Sequence, residues 1–401
     1  MEFVVVGMVA VTLTWLVRAG LPSRMAARVL PVLLLALAVR LLVHVVVIRA
    51  DLLGYGGDNL TYESWAADIA QYWSMSGFGF VTAAEMSNLH AVAVPCNLFA
   101  LVMVLCGGPA PLACTAVVGL VACALCLVLY RAALLVGADE RAAFRLLVLA
   151  AYMPSFLFHT SDTFKDGINA FLVVVCLYLV ISHLHRFDVR KLVLLAMALW
   201  ALWHVRPYMV FMCALPLAVG LLRSRRAMGI GLVAAAAALV LLPGLPLEVM
   251  QEQLDRGQSA LVRQANASGG SGVVFADGGD PWAALGPKVL YTVFAPFPWA
   301  DGSLVFQLGK IETLLWYVLL VLAAVGARRL WRRDPRLLLV LVLFLLPATV
   351  AYATTMANVG LILRQRMPIV MVASLLSALA WTKLPAGPSP ARKEHAEAVH
   401  G

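Results

Sequence analysis

Four short polar segments interrupt a largely apolar chain, and they hold the side chains that could do chemistry. The first is Asp58-Asn59-Leu60-Thr61-Tyr62, followed by Glu63, Ala66 and Asp68, inside a long polar stretch over 51–90. The second is His159-Thr160-Ser161-Asp162-Thr163-Phe164-Lys165-Asp166, and the third His204-Val205-Arg206-Pro207-Tyr208. The fourth runs from Asn358 to Arg366 and carries Arg364 and Arg366. A carboxylate such as Asp58 can accept a proton from a hydroxyl nucleophile. Arginine presents a planar fork of donors to phosphate oxygens, and fixed cations stabilise a departing phosphate. Together these groups are equipment for group transfer from a lipid phosphate, although a transporter or a scaffold could carry similar charges.

Each segment also has a structural reading. Lys165 and Asp162 could pair simply to cap a helix starting near Asp166, or Lys165 and Asp166 could point into a cavity beside the first loop. Arg364 and Arg366 could snorkel to the membrane interface, or bind phosphate. Gly56-Gly57-Asp58 reads as a turn, with Asp58 or Asn59 capping the helix that follows. From there Leu60, Trp65, Ile69, Tyr72 and Trp73 predict an amphipathic helix on the membrane surface, with Asp58, Glu63 and Asp68 clustered where the second span meets that surface.

Other chemistries lack their signatures. There is no Walker A loop and no GxGxxG after a strand, so no soluble nucleotide site is read. The eight histidines show no metal-ligand spacing. Cys123 and Cys126 form a CxxC inside an apolar run, where packing is a better reading than redox chemistry. No cofactor is expected, with a divalent metal left open. The net charge of +9 needs no nucleic-acid partner, because the basic residues sort along a membrane topology.

The elements that must position these segments are membrane helices. Hydrophobic residues make up 63% of the chain and charged ones 13%, too few to cover a water-facing surface. A span needs roughly 20 apolar residues. About 11 are expected, near 2–17, 29–50, 112–131, 145–159, 167–182, 191–204, 208–222, 228–245, 311–327, 336–353 and 367–382. Basic clusters at Arg18–Arg28, Arg131–Arg145, Arg186–Lys191, Arg223–Arg226, Arg328–Arg336 and in the tail predict cytoplasmic loops. The N-terminus is then outside, the C-terminus inside, and all four polar segments face outward.

Two apolar stretches, 91–106 and 288–300, would invert the charge sorting if they crossed, so they are read as interfacial or re-entrant. The first apolar run is read as a retained helix because its basic flank follows it. The Gly/Ser-rich tract Ser268–Gly272 in the loop 246–310 is either a mobile lid or a connector. The chain divides into an extra N-terminal helix with its basic loop (1–28), a membrane core (29–382, with outer loops 51–111 and 246–310), and a polar tail (383–401).

With the segments in order, the chain resembles the GT-C superfamily of polyprenyl-phosphate-dependent membrane glycosyltransferases, in the style of protein O-mannosyltransferases and aminoarabinose transferases. Asp58 to Tyr62 with Ala66 is similar to the family's Asp-x-x-x-Tyr-x-x-x-Ala pattern. Thr160–Asp166 falls where the family has a second charged motif. Leu363-Arg364-Gln365-Arg366-Met367-Pro368-Ile369 is similar to the Arg-Tyr-Arg-Leu-Pro run opening a late span. The resemblance implies an all-α polytopic fold with a GT-C-like core and amphipathic juxtamembrane helices. It implies Asp58 as general base, Lys165, Arg364 and Arg366 holding the donor phosphate, and Tyr62, Asp162, Asp166, Arg206 and His90 as substrate contacts. The implied reaction is inverting sugar transfer from a polyprenyl phosphate to a glycan, lipid or protein acceptor on the external face of a bacterial plasma membrane. Gly57 departs from the pattern, since many members have a second acidic residue beside the base. A polysaccharide polymerase using lipid-diphosphate glycans is the alternative enzyme. A transporter or flippase is a third reading, set back by the lack of an internal repeat.

Overall fold

A computed structural model of the chain describes residues 1–52, 57–185, 188–221, 282–301, 304–355 and 363–382. Among these residues every regular element is helical. The order is α1 (Glu2–Gly20), α2 (Ser23–Val43, continued by a π-helical turn, His44–Ile48), α3 (Asp58–Ser76), α4 (Ala93–Cys106), α5 (Pro111–Val136), α6 (Glu140–Tyr152), α7 (Pro154–His159), α8 (Asp166–His185), α9 (Val189–Trp203), α10 (Pro207–Leu221), α11 (Leu285–Phe294), α12 (Leu304–Arg333), α13 (Pro335–Thr355) and α14 (Met367–Trp381).

Six of these stretches are long and apolar enough to cross a membrane: Glu2–Gly20, Ser23–Ile48, Pro111–Val136, Asp166–His185, Gly309–Arg333 and Pro335–Thr354. The protein is an α-helical polytopic membrane protein. α1 shows why water cannot be its solvent. Val5, Val9, Leu13 and Val17 are buried against the bundle, while Val4, Met8, Val11 and Trp15 are exposed on the opposite side. A helix apolar on both faces belongs in lipid. α12 repeats the pattern, with Leu314, Val318, Val321 and Val325 facing outward.

Inside the bilayer, helices associate by close packing rather than by escape from water. α12 and α14 make the most intimate pair. A Cβ on Gly326 would lie 1.8 Å from the Leu376 carbonyl oxygen, so the backbones touch there. Ser377 Oγ adds a bond to the Leu319 carbonyl at 2.8 Å. The expected span at 145–159 is not one helix. Pro154 has no N–H to give and the chain breaks at Met153 into α6 and α7. The fully buried Arg40 of α2 repairs the break, donating to the Ala151 carbonyl at 3.1 Å, Ala36 O at 3.0 Å and Thr160 Oγ1 at 2.8 Å. The expected span 228–245 and the Ser268–Gly272 tract lie outside the described residues.

Contacts between helix ends define two faces of the bundle. At one end, Arg131 bonds the Gly20 carbonyl, Arg333 the Gly137 carbonyl at 3.2 Å, and Arg329 the Leu379 carbonyl at 2.7 Å. This is the basic end. At the other end, His44 meets Thr115 at the start of α5, and Val94 N–H donates to His204 O. α4 is tied to this end at its start and its middle. It begins beside His204, and the Cys114 thiol near the start of α5 donates to Phe99 O. At 14 residues, α4 is also short for a span. α11 and the turn after it stay at this end too, where Trp316 and Tyr317 donate to Val293 O and Phe294 O.

Candidate functional site

The site end is organised by α3. Gly57 has φ +122°, a conformation that strains any side chain, and the helix opens directly after it with Asp58 in its first turn. No side chain caps it. Asn59, expected as a cap, instead accepts from Gly57 N–H at 3.0 Å. The expected apolar face is also shifted. Asn59, Tyr62, Ala66, Ile69 and Trp73 are buried against the bundle, whereas Leu60 is exposed. The period is helical, but two polar residues head the buried stripe because partners await them.

Residues four apart on a helix lie one above the other, so α3 presents two adjacent lines. Asn59 and Glu63 form the first. Asn59 Nδ2 donates to Asp162 Oδ2 at 2.8 Å, and Thr163 Oγ1 donates to Glu63 Oε1 at 2.8 Å. Arg49, just past the π-helical turn, bridges both acids: it pairs with Glu63 and lies 3.0 Å from Asp162. His44 Nδ1 is 3.5 Å from the same carboxylate. Burial pushes the Asp162 carboxyl up, but the His44 hydrogen bond and the Arg49 charge outweigh it and hold the group below the usual carboxylate range. Asp162 is therefore not the partner of Lys165, nor does it face the open site. It fastens α3 to the turn that launches α8.

Asp58 and Tyr62 form the second line, and here the charges converge. Arg364 Nη1 is 2.5 Å from Asp58 Oδ2, while its Nε bonds Asp166. Arg206 Nη2 reaches the other oxygen of Asp166 at 2.6 Å, and its Nη1 donates to Tyr208 Oη at 3.0 Å. Four segments distant in the chain thus form one row: Asp58, Arg364, Asp166, Arg206, Tyr208. Asp166 opens α8, where the helix dipole favours a carboxylate. The Arg364 guanidinium lies 5.2 Å over the Phe164 ring. Asp58 is the most accessible of the charged members: its side chain is 52% exposed, against 8% for Arg364 and 2% for Asp166.

Lys165 flanks this row. Its Nζ passes 5.9 Å from the Tyr62 ring centre and donates to the Ala91 carbonyl at 3.0 Å. Ala91 has φ +59°, a left-handed conformation that costs a non-glycine residue roughly 1–2 kcal/mol. Burial, then the nearby Arg206 charge, pull the Lys165 ammonium down to about 7, with Asp166 opposing. Burial likewise raises the Tyr62 phenol, with Asp58 adding to it. Tyr62 is a neutral donor at physiological pH.

Two expected members sit elsewhere. Arg366 follows Arg364 by two positions and so faces another side. It is buried, donates to Ala295 O at 2.5 Å, and lies 5.8 Å over the Trp316 ring. His90 lines a small neighbouring cavity of about 150 Å³ with Thr82, Ala84, Leu89, Trp203 and His204. Of the expected acidic cluster, Glu63 meets the end of the second span through Arg49, whereas Asp58 faces Arg364 and Asp68 is exposed. Arg49 and His44 were not among the expected site residues, and Glu63 was expected only within an acidic cluster. Arg49 and His44 had a faint signal, as polar residues ending an apolar run that nothing in that run requires. Among the described residues, no group of three or more His, Cys, Asp or Glu side chains could hold a metal ion.

Aromatic side chains ring this end. Phe80, Trp200 and His204 pack tilted or edge-on with ring centres 4.8–5.3 Å apart, and Trp299, Trp282 and Phe78 are exposed. Tyr and Trp of this kind favour the headgroup level of a bilayer. No family model, no curated protein and no solved structure matches the chain.

Proposed function

We propose that the protein is a membrane glycosyltransferase that moves a sugar from a polyprenyl-phosphate donor to an acceptor on the external face, with inversion. The observation that carries this reading is the row Asp58–Arg364–Asp166–Arg206 with Lys165 beside it. It joins one accessible carboxylate to buried cations at an end of the bundle ringed by exposed aromatics. GT-C-like architecture and a full set of about 11 spans belong to the same proposal.

The chemistry divides among the residues. Arg364 and Lys165 receive the donor phosphate, a group that arrives already at headgroup depth on its lipid. Asp166 is committed to two guanidinium groups and serves to hold Arg364 and Arg206 in place. Asp58 accepts the proton of the acceptor hydroxyl. That oxygen forms a bond to the sugar's anomeric carbon as the bond from that carbon to the phosphate oxygen breaks. The electron pair leaves with the phosphate, where Arg364 and Lys165 stabilise the added charge. Attack opposite the leaving group inverts the anomeric centre. Tyr62 supplies a neutral hydroxyl as donor to a sugar or phosphate oxygen.

The test is transfer from a radiolabelled undecaprenyl-phosphate-sugar series by the purified protein in nanodiscs. A single added sugar on an acceptor supports the proposal. A ladder of repeat units from a lipid diphosphate would move the assignment to a polymerase, and no transfer from any lipid-phosphate donor would overturn it.

A further inference from the structure

We infer that Asp58 and Arg364 form a latch that a phosphate group opens, so that the donor must bind before the carboxylate is free to take a proton. This rests on the glycosyl-transfer reading and adds an order of events to it.

The pair is asymmetric. Arg364 is anchored: its Nε is bonded to the buried Asp166, its guanidinium lies over Phe164, and its side chain is 8% exposed. Removing it from Asp166 would leave a buried charge uncompensated. Asp58 has no such hold. It is 52% exposed, sits in the first turn of α3, and can swing into water at little cost. The exchangeable position is therefore Arg364 Nη1, at 2.5 Å from Asp58 Oδ2. A phosphate oxygen is a chemically equivalent acceptor for that N–H and carries charge of the same sign. Phosphate in means carboxylate out. While the latch is closed, the Asp58 oxygen shared with the guanidinium is not available to an acceptor hydroxyl. The released carboxylate remains on the same helix end, beside the incoming acceptor. Idle hydrolysis is limited by the same device, because a base is presented only when the donor is seated.

A phosphate that must displace Asp58 binds more weakly than one that meets Arg364 unlatched. Equilibrium binding of inorganic phosphate and, separately, of undecaprenyl phosphate to the protein in nanodiscs tests this. Asp58→Asn should bind about three- to fivefold more tightly than wild type, the scale of one partly exposed ion pair. Asp68→Asn removes an exposed charge from the same helix without touching the latch and should change binding less than about twofold, or about 0.4 kcal/mol. Arg364→Lys, which keeps the charge and loses the fork, should weaken binding. Equal tightening by Asp58→Asn and Asp68→Asn, or none by Asp58→Asn, overturns the latch while leaving the glycosyl-transfer reading intact. Absence of binding in every form, with both probes, overturns both. Tightening seen with inorganic phosphate alone supports the latch and assigns the site to free phosphate, against the lipid donor.

Discussion

Asn59 Nδ2 donates to Asp162 Oδ2 across 2.8 Å, joining residues 103 positions apart in the chain. One residue earlier, Asp58 faces Arg364; three residues after Asp162, Lys165 faces Tyr62. The bond therefore acts as a pin between the two segments that carry the reactive groups. A one-residue displacement of α3 at the pin would turn Asp58 by about 100° away from its partner.

Asp162→Ala should be costly for this reason. Its carboxylate is fully buried, and removal leaves Arg49 and Asn59 without their shared acceptor. Loss of about 3 kcal/mol is expected, the low end for a broken buried pair, since Arg49 keeps Glu63 and is 26% exposed. Thermal unfolding in detergent should show a clearly lowered midpoint. An unchanged midpoint would remove Asp162 from its role as fastener.

Asp58→Asn should behave oppositely, with folding preserved and transfer lost. The side chain is half exposed and asparagine has nearly its shape, so the helix start is undisturbed. General-base loss costs about 10²–10⁴ in rate. Product formation per mole of monodisperse protein reads this directly, and full activity would contradict the assigned base.

Lys165 sets a pH dependence. Its ammonium is pulled down to about 7, first by burial and then by Arg206, so the cation is present below that pH and lost above it. A lipid phosphodiester does not titrate near neutrality. Donor binding should therefore weaken as pH rises from about 6 to about 8, across the Lys165 midpoint. Lys165→Met should bind more weakly at the acid end and show a flat profile. A wild-type profile that is already flat would mean Lys165 takes no part in holding the phosphate.

Gly326 tests the packing that supports Arg364. A Cβ there would meet the Leu376 carbonyl at 1.8 Å, and a carbonyl in a helix cannot swing aside. Gly326→Val should force α12 and α14 apart, costing at least the roughly 1–3 kcal/mol of an overpacked core. Reduced yield of folded protein and a lower unfolding midpoint are the readouts. Gly7 offers the contrast: nothing lies within 4 Å of its Cβ position, and Gly7→Ala should be silent.

The amino-acid sequence by itself determined the solvent. An apolar fraction of 63%, with two apolar faces on helices such as α1, leaves lipid as the only consistent surroundings. It also determined which polar residues were expensive, because each charge near a bilayer needs a partner or a cavity. Asp58, Lys165, Asp166, Arg206 and Arg364 could be singled out on that ground. Partnership was beyond it. Asp162 and Asp166 are both acids flanking Lys165, yet one fastens α3 and the other anchors two arginines. Arg364 and Arg366 are two positions apart, yet one faces the accessible carboxylate and the other the Ala295 carbonyl. Spacing along a chain fixes which residues share a helix face, but not what the next helix brings to it. That depends on helix packing and on the turns at Gly57 and Met153-Pro154, which aim those faces, and only the tertiary structure decides it.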